Sequence, residues 1–180
     1  QELSDLALAL GVRPGKDFQL DDLRYGRIII MTDADVDGAH IAALLMTYFY
    51  QEMPALIEAG HLYLAQPPLY RMTQGGTTHY ALDEIQRKEL ATSAFNGRAK
   101  IEISRFKGLG EMPPAQLRET TMNLHTRRLL RVELPRRDIV GADFRREVDQ
   151  LVSTLMGKKA ELRFGYIRDH ADEVLAELDV

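Results

Sequence analysis

Three isoleucines running into three alternating aspartates constrain this chain more than any other feature. Residues 27–32, Arg-Ile-Ile-Ile-Met-Thr, form a β-branched apolar run that gives way to Asp33-Ala34-Asp35-Val36-Asp37-Gly38. An unbroken apolar run of that length suits a buried strand of a parallel sheet. Beyond the aspartates the period changes. Ile41, Leu44, Leu45, Tyr48 and Phe49 recur at i, i+3, i+4, i+7 and i+8, one apolar face of a helix that opens near Ala39 and runs to about Met53. Gly60 closes the connection, and residues 61–66 alternate as a strand that Pro67-Pro68 stops. Strand, turn, helix and strand in that order predict a right-handed βαβ unit. The acidic turn then sits at the carboxyl edge of a buried strand, where open α/β sheets bind ligands.

Three carboxylates so close together repel one another unless a cation neutralises them. Hard oxygen donors favour magnesium, manganese or calcium. Magnesium keeps several waters and takes one or two protein carboxylates plus substrate phosphate, so the turn suits phosphoryl chemistry better than metal storage. Two other readings compete. An EF-hand loop also begins Asp-x-Asp-x-Asp-Gly, but it needs an acid at its twelfth position, here Leu44, and a helix before it, where this chain has Ile28-Ile29-Ile30. Alternatively the aspartates are solvated turn residues or helix caps, with Asp37 the first candidate for a cap.

The remaining pattern is α/β and then helical. Residues 3–10 read as a short helix ended by Gly11 and Pro14. Gly75-Gly76 turns into a strand around 77–82. Asp83 is placed to cap a helix through about Ala91. Residues 99–106 read as a strand, and Lys107-Gly108-Leu109-Gly110-Glu111 as a Gly-rich loop. Pro113-Pro114 opens a helix through about Met122. Leu129 to Leu134 is a strand ended by Pro135. Beyond Gly141, Phe144, Val148, Leu151, Val152 and Leu155 line one helical face that Gly157 ends, and a last helix covers Asp169 to Leu178. A boundary near 135–141 separates an α/β domain, 1–135, from a helical tail, 136–180.

Composition narrows the function classes. The 180 residues are 45% hydrophobic and 28% charged, enough apolar material for a core. The net charge of −4 excludes a wholly basic nucleic-acid binder, so any DNA contact must come from local patches. Without cysteine there is no disulfide, Cys-based zinc site or thiol nucleophile; a reducing cytoplasm fits. No apolar run reaches the ~18 residues of a membrane span, and Gln1 to Leu10 carries no signal-peptide pattern. The absence of an initiator Met suggests a piece of a longer chain.

At the acidic turn the sequence resembles the Toprim domain of topoisomerases, bacterial primases and some nucleases. Further stretches are similar to the B subunits of bacterial type IIA topoisomerases, gyrase and topoisomerase IV. These are Arg24-Tyr25-Gly26-Arg27 through Ile41, Gln66-Pro67-Pro68-Leu69-Tyr70-Arg71, Arg105-Phe106-Lys107-Gly108-Leu109-Gly110-Glu111-Met112, and Gln116-Leu117-Arg118-Glu119-Thr120-Thr121. Arg105-Phe106, Leu117-Arg118-Glu119 and the lack of a long insertion look like the topoisomerase IV branch; Gln66-Pro67-Pro68 is also gyrase-like.

The resemblance implies a Toprim-type parallel sheet flanked by helices, lacking its N-terminal strand, and an ATP-dependent type II topoisomerase activity. In that family a tyrosine on the A subunit attacks a DNA phosphate, a second duplex passes through the break, and the break is resealed. Carried over by position, Asp33 and Asp35 are the catalytic metal ligands, and Asp37 is a further ligand or orients the site. The implied cofactor is magnesium, for which manganese or calcium substitutes, with ATP bound by a part of the protein outside this sequence. The implied partners are double-stranded DNA and the A subunit, in an A2B2 heterotetramer in the cytoplasm. The family's upstream Glu-Gly-Asp-Ser-Ala stretch is absent here, so these 180 residues are expected to be inactive alone.

Other residues divide between contact and packing. Lys107 lies in a loop whose glycines let the backbone approach a phosphate; otherwise it is a solvated lysine. His40, on the first turn of the helix, stands near free N–H groups that welcome an anion, or it is a surface histidine. Arg105 is a DNA contact or pairs with Glu111. Arg127, Arg128, Arg131, Arg136 and Arg137 meet DNA or an acidic partner, or form a solvated face. Each of the seven tyrosines has a packing reading against that of a type I nucleophile. A Toprim nuclease or primase would share the aspartates without the Lys107 loop. A calcium-binding or assembly module would bind metal indifferently to DNA.

Overall fold

A computed structural model describes residues 1–33, 35–97, 99–134 and 137–175, with the backbone alone for 137–143, 174 and 175. The chain divides into two compact units, Gln1–Val132 and Glu133–Val180.

The first unit is built around the predicted β-α-β order. After α1 (Glu2–Leu10) come β1 (Ile28–Ile30), α2 (Val36–Glu52), α3 (Pro54–Glu58) and β2 (Leu62–Ala65). Strands β1 and β2 pair in parallel, Ile28 with Leu62 through Ile30 with Leu64. β6 (Leu129–Arg131) joins the other side of β2 antiparallel, giving the order β1-β2-β6. The α/β class holds, with the β1–β2 ladder as its parallel part. Phe49, Met53, Leu56 and Leu62 are essentially sealed from solvent and form the core here.

Two local expectations shift. Helix α2 opens at Val36, not Ala39, because Asp35 caps it. Its buried positions are Gly38, Ala42 and Phe49, whereas Ile41 and Leu44 are half exposed. The apolar face read from the sequence is therefore rotated: small residues sit beneath the first turns, where the chain packs closest. Pro54 at the first position of α3 breaks the helical run that follows.

A second sheet contains the two strands expected around 77–82 and 99–106, joined by a central strand that the sequence did not disclose. β3 (Tyr70–Gln74) runs between β4 (Thr77–Ala81) and β5 (Glu102–Arg105), antiparallel to both. Gly75 takes a φ of 60°, which the tight β3–β4 turn requires. α4 (Glu84–Ser93) follows, capped by Asp83, whose carboxylate accepts from the Gln86 amide at 2.7 Å. The segment after Pro113 is α5 (Pro114–Leu117) followed by a π-helical turn, Arg118–Met122. Buried Thr120 donates its hydroxyl to the Gln116 carbonyl at 2.8 Å. The Asn123 amide reaches back five residues to Arg118 O at 2.8 Å. Such back-bonding by threonine competes with the regular helical ladder and widens it.

The second unit contains α6 (Arg137–Met156), α7 (Ala160–Asp169) and α8 (Ala171–Leu175). The predicted last helix, Asp169 to Leu178, corresponds to α8, with residues 176–178 outside the described residues; α7, before it, was not foreseen. Gly165 and the mixed order of Leu162, Phe164 and Ile167 hid α7. Arg163 donates to the Leu155 and Gly157 carbonyls at 2.6 and 3.1 Å, satisfying groups that the end of α6 leaves free. No helix among the described residues is long and apolar enough to cross a membrane.

Candidate functional site

β1 ends at Ile30, three residues before Asp33, so the acidic segment emerges at the carboxyl end of a strand paired in parallel. Asp35 is extended, at φ −113° and ψ 179°, and its Oδ1 accepts from the Gly38 amide at 2.7 Å. It is therefore the cap, where the sequence pointed first to Asp37. Asp37 is exposed in the first turn of α2, as is His40.

Asp33 is held from both sides. A Cβ at Gly38 would overlap its backbone carbonyl, so only glycine lets α2 start this close. From the other side comes the 107–111 loop. The Leu109 amide donates to Asp33 Oδ1 at 2.7 Å, and a Cβ on Gly108 would come within 3.0 Å of the carboxyl group. The sequence places these partners 76 residues apart, and no local pattern announced their meeting.

Hydrophobic anchors and one carboxylate fix that loop. Phe106 and Met112 are buried at its two ends. The Phe106 amide donates to Leu69 O at 2.8 Å, tying the loop's start to the second sheet. Glu111 accepts the Lys107 amide on Oε2 at 2.8 Å, while the Arg105 guanidinium lies 6.0 Å from the Tyr70 ring centroid instead of pairing with Glu111. The glycines marked a loop whose backbone could approach a phosphate; in the structure its Leu109 amide meets Asp33, and neither that contact nor the part of Glu111 was legible in the sequence.

An open groove of about 700 Å³ joins the acidic turn to this loop. Asp35, Val36, Ala39, Leu69, Arg105, Phe106 and Lys107 line it. Two sequence-predicted cations thus share a groove with a predicted metal ligand; His40 is not among the lining residues. Among the described residues, no three acids or imidazoles converge in an arrangement that could hold a metal ion. Asp33 and Asp35, the two candidate donors, each have one carboxylate oxygen committed to a backbone amide. That suits a hydrated hard cation sharing its shell with a phosphate, and not a closed all-protein cage.

The other flagged residues occupy ordinary structural settings. Tyr48 meets Phe49 edge-on at 5.6 Å, Tyr63 lies beneath Arg27 at 5.6 Å, and Tyr70 also faces Arg87 at 5.7 Å. Tyr80 donates to Glu119 Oε2 at 3.1 Å; burial first, then Glu119, holds its hydroxyl above the usual phenol range. Arg128 lines a separate cavity of about 220 Å³ with His79, Tyr80 and Glu119. Arg136 and the Arg137 side chain lie outside the described residues.

Residues 4–67 match the model of the Toprim domain, and residues 98–168 match that of the DNA gyrase B subunit, carboxyl terminus. All 180 residues align at 55% identity with the B subunit of DNA topoisomerase 4 from Caulobacter vibrioides, covering 25% of that protein. The chain belongs to the type II topoisomerase B-subunit family. The corresponding DNA topoisomerase 4 protein of Rickettsia conorii is 52% identical over all of this chain and 27% of its own length. The B subunit of DNA gyrase from Archaeoglobus fulgidus is 46% identical over 96% of the chain and 26% of its own length. The chain spans about a quarter of the length of the curated relatives it matches. Within the family frame, the groove between the acidic turn and the Lys107 loop lies partly in the Toprim match and partly in the gyrase match.

Proposed function

We propose that this chain forms the magnesium-binding part of a DNA cleavage and religation centre in the B subunit of a topoisomerase IV-type enzyme. The observation that carries the reading is the hydrogen bond from the 107–111 loop to Asp33, which joins the acidic turn and the cationic groove into one site. Asp33 and Asp35 would hold the metal through the oxygens their backbone partners leave free; Asp37 would orient its water shell. Magnesium would supply Lewis-acid stabilisation of charge on the scissile phosphate and the departing oxygen.

The remaining work falls to the chain's own residues. Lys107 and Arg105 would draw the phosphodiester into the groove and hold it beside Asp35, and His40 would meet an adjacent phosphate at the start of α2. The attacking tyrosine would come from an A subunit in an A2B2 assembly. ATP would bind elsewhere in the full-length protein, and the enzyme would work in the cytoplasm, relaxing and unlinking duplexes.

The test is plasmid cleavage by the full-length protein paired with its A subunit, with magnesium as the variable. Wild type should make covalent, reversible double-strand breaks, and Asp33→Asn and Asp35→Asn should lose them by at least ~100-fold. Unchanged cleavage in both variants would sink the metal reading. The relatives include a gyrase, so a second assay separates the branches: decatenation without supercoiling marks topoisomerase IV, and ATP-driven negative supercoiling marks gyrase.

A further inference from the structure

Asp33 does not hold its own position. Its Oδ1 is fixed by the Leu109 amide at 2.7 Å, and Leu109 sits in a loop with little side-chain substance of its own. Two glycines, Gly108 and Gly110, leave that loop conformationally free, so something must select one shape. The selection is visible at the loop's ends. Glu111 Oε2 accepts the Lys107 amide at 2.8 Å, folding the fifth residue of the loop back on the first. The Glu111 amide closes the same turn on Gly108 O at 3.2 Å, and Met112 closes it on Leu109 O at 3.2 Å. The turn so formed points the Leu109 N–H at Asp33.

We propose that Glu111 is a positioning residue for the metal site: by accepting the Lys107 amide, its carboxylate holds the 107–111 loop in the shape that orients Asp33. It acts through the loop and does not touch the metal. The proposal rests on the magnesium reading of Asp33 given above. It makes a distinction that charge alone would not. A hydrogen-bond acceptor is what the loop needs, so Glu111→Gln, which keeps an acceptor oxygen and discards the charge, should preserve the function. Glu111→Ala, which removes the acceptor, should not. A direct metal ligand would fail in both variants.

The experiment uses the full-length protein in complex with its A subunit and has two readouts. The first is backbone amide exchange, followed by mass spectrometry on the metal-free complex, in the peptide spanning residues 106–112. Exchange should be about tenfold faster in Glu111→Ala and close to wild type in Glu111→Gln, as expected for the loss or retention of a hydrogen bond. The second is the magnesium concentration giving half-maximal plasmid cleavage. It should rise by about 10-fold or more in Glu111→Ala, in line with other residues that orient a metal ligand, and stay within about twofold in Glu111→Gln. Asp33→Asn is measured beside them. Unaltered exchange and magnesium dependence in Glu111→Ala, with Asp33→Asn inactive, would overturn the positioning role alone. Equal losses in the Ala and Gln variants with unchanged exchange would make Glu111 a ligand and also overturn it. Cleavage by Asp33→Asn at the wild-type level would remove the metal site that the proposal serves, and both readings would fall.

Discussion

Asp35 has two roles that substitution can separate. Its Oδ1 caps α2, and the residue also lines the groove. Asparagine is as good a cap as aspartate but lacks the charge. Asp35→Asn should therefore leave unfolding free energy within about 0.5 kcal/mol of wild type while magnesium-dependent cleavage is lost, whereas Asp35→Ala should lose cleavage and also about 1 kcal/mol in denaturant unfolding. Gly38 makes a complementary case. Alanine is normally the better helix former, yet here its Cβ would overlap the Asp33 carbonyl. Gly38→Ala should destabilise by about 1–3 kcal/mol, the range of overpacked sites. An unfolding curve that matched wild type would show that the turn has room to move.

Among the elements, α4 carries a pH signature. Arg87 donates from Nε to Glu84 Oε2 at 2.8 Å and also pairs with Oε1 through its Nη2. That hydrogen bonding, opposed by desolvation, pulls the Glu84 carboxyl from the ordinary 4.5 down to about 2. A lowered folded-state value means that the contribution is complete above 4.5 and is lost as pH falls from there through about 2. Arg87→Ala should return the Glu84 midpoint towards 4.5 in a carboxyl NMR titration and flatten that acid limb of the stability curve. The pair sits at an exposed helix start, so stability at neutral pH should hardly change. The Asp83 cap of this helix was legible in the sequence because capping is local. The central strand of the second sheet, β3, was not. Its Tyr-Arg-Met-Thr-Gln has one sealed residue, Met72, and its identity as a strand depends on pairing with residues as distant as Arg105.

The net charge of −4 opposes DNA, so under the proposed function this chain's share of the affinity would be concentrated where Lys107 and Arg105 share a groove. Binding carried by a few phosphate contacts releases a correspondingly small number of counterions. Lys107→Ala should weaken DNA binding by the assembled enzyme across all sequences. It should also flatten the dependence of log K on log salt by about 0.9, the share of one phosphate. An unchanged slope would make Lys107 a solvated loop residue. The salt titration reads this contact independently of cleavage, which the proposed function assigns to Asp33 and Asp35.

The sequence alone carried whatever nearest neighbours decide. The Ile28–Ile30 strand, the acidic turn after it, the parallel return at Leu62, the Asp83 cap and the glycine-rich loop at 107–111 all follow from local period, branching and backbone freedom, and the family motifs were readable in order. Tertiary structure decided what depends on distance through space. It chose Asp35 as the cap, rotated α2 so that Gly38 and Ala42 lie inward while Ile41 and Leu44 look out, and made a sheet around β3. It also brought Leu109 to Asp33 across 76 residues. A hydrogen bond between distant segments leaves no periodic trace in either one, because each partner's local pattern is satisfied without the other.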